Sequence, residues 1–278
     1  MKFHRFTIFM LVLFFSMSFV QGGSGDIRES FEKPPFEAGA HTWWHWMNGN
    51  VTKEGIKADI EAMAEVGISG AQIFNVGDKG SVNIPAGSID YMSEEFLEMV
   101  RYSAKIAEKE GMELCFHNCA GWSSSGGPWV TPEYGMQILV VSEKQIQGGE
   151  RFKGKLERPL MRLDYYRDIA VLAFPTPEDD DYRIANYRPK AGFEKRYGLL
   201  LDLDDAPEEA VIKLDDIVDL SDKMDDEGKL RWDVPEGEWT VLRIGHTPTG
   251  KTNHPAPVPG RGLECDKLSR EALDVHWE

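Results

Sequence analysis

Cysteine, positive charge and long apolar runs are all scarce in this 278-residue chain. The three cysteines, Cys115, Cys119 and Cys265, are odd in number and form no CxxC pair. That excludes a dense disulfide framework and a zinc site of ordinary ligand spacing. Cys115 falls in a predicted buried strand, where a thiol acts as a small hydrophobe. Cys119 and Cys265 fall at predicted strand ends, and a bridge between them stays open. Lys and Arg number 31 against 47 Asp and Glu, a net charge of −16. Nucleic acids and anionic lipid surfaces are excluded as partners, since both need clustered cations. A neutral or cationic substrate fits this balance, and so does an acidic surface serving solubility alone. No GxSxG elbow precedes Ser123–Ser125, so these serines are not nucleophiles. The aspartates at 202–205, 215, 216, 225 and 226 lack EF-hand spacing and read as a solvated surface. No internal repeat or low-complexity tract is present.

One long apolar run exists, Phe6–Val20, preceded by Lys2, His4 and Arg5 and followed by QGGSG. This is the layout of a secretory signal, with cleavage expected around Gly22–Ser24. It predicts a secreted or periplasmic protein with no membrane attachment once residues 1–23 are removed. An uncleaved anchor is the alternative, for which the run is short.

The chain as a whole is 41% hydrophobic, enough for a real core. Its first part alternates strand and helix. Ala40–Met47 reads as a strand. Thr52 caps a helix whose Ile56, Ile60 and Met63 share a face, and Gly67 ends it. Ile68–Val76 reads as a second strand. Ser93 caps a second helix with Phe96, Val100, Ala104 and Ala107 inward, Gly111 stops it, and Met112–Phe116 is a third strand. This order predicts an α/β fold with a parallel sheet, whose strand-to-helix loops emerge together at one edge. The loops 48–51, 77–92 and 118–131 all fall on that side. Thr131 and Pro132 read as an N-cap and first helical position. Thereafter the pattern turns to β: Met136–Gln145, Ile169–Phe174, Ala210–Asp215, Lys229–Val234 and Trp239–Ile244 read as strands, with an acidic surface loop at 176–190. This predicts a β-sandwich-like insertion. Gly262–Asp266 reads as a short strand and Ser269 starts a helix.

Two loops concentrate unusual chemistry. Residues 117–131 read HNCAGWSSSGGPWVT and residues 41–50 read HTWWHWMNGN. Flat aromatics, side-chain amides, histidine and backbone-permissive glycines past strand ends suit a sugar ring, whose hydroxyls want hydrogen bonds and whose C–H faces want an aromatic surface. The candidate contacts are Trp44, Trp46 and Trp122 as an apolar wall and Asn48, Asn50, His117 and Asn118 as hydrogen-bonding groups. Each tryptophan is equally readable as core, and His117 as a satisfied structural histidine. Glu264 and Asp266, two apart on a strand, face one way and can bind hydroxyls or a metal; Asp266 also reads as a cap for the next helix. Asp59, Glu61 and Glu65 read as a solvated helix face.

FEKPP at 31–35, WWHWMNGNVTKEGI at 43–56, GISGAQIFNVG at 67–77, HNCAGWSSSGGPWVTPEYGMQ at 117–137 and GLECDKLSREALDVHW at 262–277 together resemble the α-L-rhamnosidases of glycoside hydrolase family 106. Between 140 and 250 the resemblance rests on β character and on WDVPEGEWTVLRIGHTPTG. It implies a partial (β/α)8 (TIM-type) barrel: residues 24–135 as its first part, 136–253 as the inserted β-rich domain, and 254–278 as the barrel resumed. It further implies an exported, inverting enzyme that removes terminal α-L-rhamnose from plant polysaccharides or glycosides, with calcium assisting and Glu264 as a possible ligand. Family members are several times longer, so the catalytic acid and base are expected beyond Glu278. A non-catalytic exported carbohydrate-binding protein and a glycosidase of another barrel family are the alternatives.

Overall fold

The computed structural model describes residues 27–77, 84–178, 182 and 206–278. The leader, residues 78–83 of the 77–92 loop, most of the acidic loop at 176–190 and the aspartates at 202–205 lie outside the described residues.

The first part follows the predicted alternation. A short exposed helix, α1 (Ile27–Glu32), precedes β1 (Ala40–Met47), α2 (Lys53–Glu65), β2 (Ile68–Val76), α3 (Glu94–Glu110) and β3 (Glu113–Phe116). The three strands form a parallel sheet in the order β1-β2-β3, with Trp46 opposite Asn75 and Gln72 opposite Cys115. The helix starts are set locally: Thr52 Oγ1 accepts from Gly55 N, and Ser93 Oγ from Phe96 N. Both helices pack on one side of the sheet, where Trp44, Trp46, Ile56, Ile60, Ala71, Ile73 and Phe96 form a continuous core.

Two expectations are corrected here. Ala104 is exposed and Ser103 takes the buried place, its hydroxyl donating to the Met99 carbonyl. Ser103 lies about two helical turns from Phe96, so periodicity outranks residue polarity. Cys115 is exposed, not buried, because β3 is an edge strand and the second face of the sheet carries no covering layer among the described residues.

The second part is antiparallel. Strands β4 (Gln137–Gln147), β6 (Arg167–Pro175), β7 (Val218–Asp219) and β9 (Glu238–Pro248) form a sheet in the order β4-β9-β6-β7, and β5 (Arg151–Lys155) pairs with β8 (Lys229–Asp233). Ile146, Val171, Ala173, Leu230, Trp232, Trp239 and Val241 share one core between the two. The strand expected at 210–215 is absent. Two single 3-10 turns, Glu208–Ala210 and Leu214–Asp216, stand there instead, with Val211, Ile212 and Leu214 exposed. Alternating apolar residues make a strand only where one face is covered. Thr131 and Pro132 start no helix: Tyr134 N and Gly135 N both donate to Thr131 O, closing one turn before Gly135 bridges to Cys265.

Residues 262–266 form single bridges, not a strand: Leu263 to Gly127 and Thr252, Cys265 to Gly135. The last helix, α4 (Arg270–Trp277), is capped by Ser269, which accepts from Ala272 N. No helix among the described residues is long and apolar enough to cross a membrane.

Candidate functional site

The loop 117–131 leaves the carboxyl edge of the sheet and is tied down at many points. His117 N donates to Ile73 O, Gly121 N to Asn75 O and Trp122 N to His254 O, at 3.1, 2.8 and 3.0 Å. Since Trp46 is in register with Asn75, the ends of β1 and β2 and this loop meet at one edge. Asn118 Nδ2 donates to Ser124 O at 2.7 Å and folds the loop back on itself. Trp122, 60% exposed, projects from its crest. Gly126 sits at φ +118°, and a Cβ there would lie 2.7 Å from Leu263 O, so only glycine lets the loop close on the 262–266 segment.

That closure brings Glu264 into the site. Ser123 Oγ donates to Glu264 Oε1 at 2.9 Å, and Lys267 Nζ lies 3.3 Å from Oε2. Asp266 turns elsewhere: its Oδ1 accepts from Leu268 N at 3.0 Å. The two carboxylates thus take different partners, and the helix cap is Ser269. Among the described residues no group of three or more His, Cys, Asp and Glu is placed to hold a metal ion. Cys119 and Cys265 are buried, unbridged thiols. Burial, with the Glu264 charge nearby, pushes the Cys119 thiol up to about 12, which leaves it inert.

Two residues not singled out in the sequence hold this arrangement. Asn253, fully buried, donates from Nδ2 to Ala120 O and Gly260 O at 3.0 and 2.8 Å and accepts from Gly262 N at 2.9 Å. One amide thus joins the loop, the 253–260 connector and the 262–266 segment. Asn253→Ala strands these buried main-chain groups and is expected to cost about 2–4 kcal/mol in urea unfolding. His276 on α4 is the other. Its Nδ1 accepts from Gly126 N at 3.4 Å and its ring lies 6.1 Å from that of Trp129. Burial holds its pKa below the ordinary 6.5, only partly opposed by the Asn118 main chain. The depressed value fixes the sign. The contribution of His276 is complete above pH about 6.5 and is lost as pH falls from there through the folded-state value. The protection of the Gly126 amide, relative to its intrinsic exchange rate at each pH, should therefore fall on acidification, and His276→Gln should flatten that dependence.

The β1 candidates fall differently. Trp44 and Trp46, 8% and 2% exposed, point to the helix side. Trp44 Nε1 donates to Asp59 Oδ2 at 2.9 Å, and the Trp46 ring lies 5.6 Å from that of Phe96. Asp59 is therefore a partner of the core edge, not merely a solvated charge. With Asn50 and Thr52 these tryptophans border a cavity of about 300 Å³ beside the start of α2. Asn48 Nδ2 donates to Ile84 O, and Asn50 Nδ2 to Met47 O and Pro85 O. Both amides serve the loop's own main chain.

The uncovered face of the sheet carries a set that sequence reasoning missed. Ring centroids of Trp43 and Phe74 are 5.1 Å apart, those of His45 and Phe74 5.9 Å, and those of Phe74 and His117 4.5 Å. The alternation in WWHW held the signal: Trp43 and His45 must oppose Trp44 and Trp46. Which pair faced the helices was not decidable without the packing.

A loop of amide, hydroxyl, indole and carboxylate groups at the carboxyl edge of a parallel sheet is where α/β proteins bind small polar ligands. A family profile described as alpha-L-rhamnosidase, glycoside hydrolase family 106, matches residues 32–278. The chain belongs to glycoside hydrolase family 106. Within this family context, it is 49% identical over 257 residues to a Formosa agariphila protein named "Putative beta-glucuronidase", covering 91% of this chain and 21% of that protein. The structure of a rhamnosidase from Novosphingobium sp. PP1Y superposes with a TM-score of 0.69 at 26% identity, over 89% of this chain and 36% of the rhamnosidase. The chain thus has a mixed α/β fold similar to a rhamnosidase and spans about a fifth and about a third of the length of these two proteins.

Proposed function

We propose that this chain is the sugar-recognising part of an exported, inverting glycoside hydrolase acting on terminal α-L-rhamnosyl residues of plant polysaccharides or glycosides. In this reading β1, α2, β2, α3 and β3 open a (β/α)8 barrel, residues 136–253 are a sandwich-like insertion, and residues 254–278 return to the barrel. The export rests on the leader at 1–23. The observation that carries the reading is the closure of the 117–131 loop on Glu264 at the carboxyl edge of the parallel sheet, in a chain whose family profile is that of α-L-rhamnosidases. Groups there offer both hydroxyl donors and acceptors. Glu264, held by Ser123 and Lys267, is a binding group and not the proton donor. Inversion needs two carboxyl groups about 6.5–9.5 Å apart, one acid and one holding water, and we assign these to other parts of the longer enzyme.

A second reading has a specific observation behind it: the 49%-identical relative carries the name of a β-glucuronidase. An assay on the intact protein that contains this segment separates the two. Aryl α-L-rhamnoside is expected to be cleaved with release of β-L-rhamnose, followed by NMR of the nascent anomer, while aryl β-D-glucuronide is left intact. Cleavage of the glucuronide alone would transfer the assignment. Rhamnose binding with no hydrolysis of either would make the protein a carbohydrate-binding module.

A further inference from the structure

On the reading just given, we infer that His276 is a positioning residue for the sugar: its imidazole closes the base of the 117–131 loop and so sets where Asn118, Trp122 and Ser123 stand. The ring projects from α4 and is 9% exposed. Gly126 N donates to its Nδ1 at 3.4 Å. With Nδ1 accepting, the neutral ring carries its proton on Nε2. The Asn118 main chain stabilises the protonated ring, as a carbonyl accepting from it does. One imidazole therefore serves an N–H at 126 and a C=O at 118. Between those two positions lie Trp122 and Ser123, whose hydroxyl meets Glu264.

Asn253 does not duplicate this service. Its Nδ2 donates to Ala120 O and, at 3.5 Å, to Gly126 O, so it offers these two positions donors only. The acceptor for Gly126 N is His276. The orientation of that acceptor is set by packing, since the Trp129 ring lies 6.1 Å from the imidazole with planes at 34°. Every one of these contacts is closed within the chain, and none depends on an exposed surface. His276 is buried and acts through the loop. Its loss misplaces groups that hold the sugar alike before and during bond cleavage, so it raises KM and spares kcat.

The test uses the intact protein that contains this segment, on whichever of aryl α-L-rhamnoside and aryl β-D-glucuronide it cleaves. H276F keeps an aromatic ring against Trp129 but neither hydrogen bond. H276Q keeps one acceptor and one donor. H276N keeps the amide on a shorter stem that spans one partner only. KM is expected to rise about tenfold in H276F and H276N with kcat within about twofold, and to return to within about threefold of the wild type in H276Q. H276N decides the matter should H276F not fold. An unchanged KM in H276N, an H276Q as weak as H276N, or a fall in kcat larger than the rise in KM would overturn the positioning role while the proposed function stood. Cleavage of the glucuronide alone would overturn the proposed function and leave this test in force. If neither glycoside is cleaved, the same variants are compared by their Kd for methyl α-L-rhamnoside, and absence of saturable binding would overturn both.

Discussion

Asp168→Ala should lower the stability of the antiparallel part of the chain by about 3–5 kcal/mol, because it leaves a buried guanidinium without its counter-charge. Arg243 on β9 is 3% exposed at its side chain and is gripped by Asp168 on β6 through two bonds of 2.8 Å, Nε to Oδ1 and Nη2 to Oδ2. Its Nη1 donates to Leu156 O at 2.9 Å, and Tyr166 donates its hydroxyl to Asp168 Oδ1 at 2.7 Å. Neither remaining partner carries charge, so truncating Asp168 leaves the cation paired with dipoles alone. Urea unfolding followed by the fluorescence of Trp232 and Trp239, both in this core, reads the loss. A loss below about 1 kcal/mol, the range of exposed pairs, would show that water reaches Arg243 freely. Pairing Asp168→Asn with Arg243→Met should recover much of the loss, since removing both charges is far milder than orphaning one.

The same pair has a pH signature. The Arg243 hydrogen bonds hold the Asp168 carboxyl below its ordinary value, against the opposing effect of burial. A depressed carboxylate stabilises above its unfolded pKa, about 3.9, and that contribution disappears as pH falls through the folded value. Because Asp168 is itself 37% exposed, solvent screening reduces the effect, and the acid limb should be shallower than the alanine variant's loss.

What the sequence made readable was local. Thr52, Ser93 and Gly111 each act within a few residues of themselves, and caps and stops were legible for that reason. So was the order of strand and helix up to Phe116. Facing was not. Trp43 to Trp46 alternate whatever the fold, and only α2 and α3 decide that Trp44 and Trp46 go inward. The same holds for Cys115, whose apolar neighbours suggested burial that an edge strand does not supply. Chemistry assembled over long separations was also invisible. Ser123 and Glu264 are 141 positions apart, and Gly126 and His276 are 150 apart. Asn253 offered no cue in a proline-rich connector, although its amide joins three segments. Asn48 and Asn50 misled in the opposite direction: their residue type suits a ligand, but an amide beside a tight loop is as readily consumed by main-chain carbonyls.

The isolated chain should leave an aryl α-L-rhamnoside uncleaved even where it binds the sugar. Inverting hydrolysis needs a carboxylic acid to protonate the leaving oxygen and a separate carboxylate to activate water. Each carboxylate among the candidates is already committed. Glu264 is held by Ser123 and Lys267, Asp266 by Leu268 N, and Asp59 by Trp44 on the helix side of the sheet. General acid–base groups contribute about 10²–10⁴-fold each, so a site lacking both should fall to the background rate. Turnover near the ordinary enzymatic value of about 10 s⁻¹ would contradict this. If that turnover were abolished by Glu264→Gln and retained in Asp266→Asn, Glu264 would have to be one of the catalytic carboxyl groups. The Lys267 contact would then have to open on substrate binding.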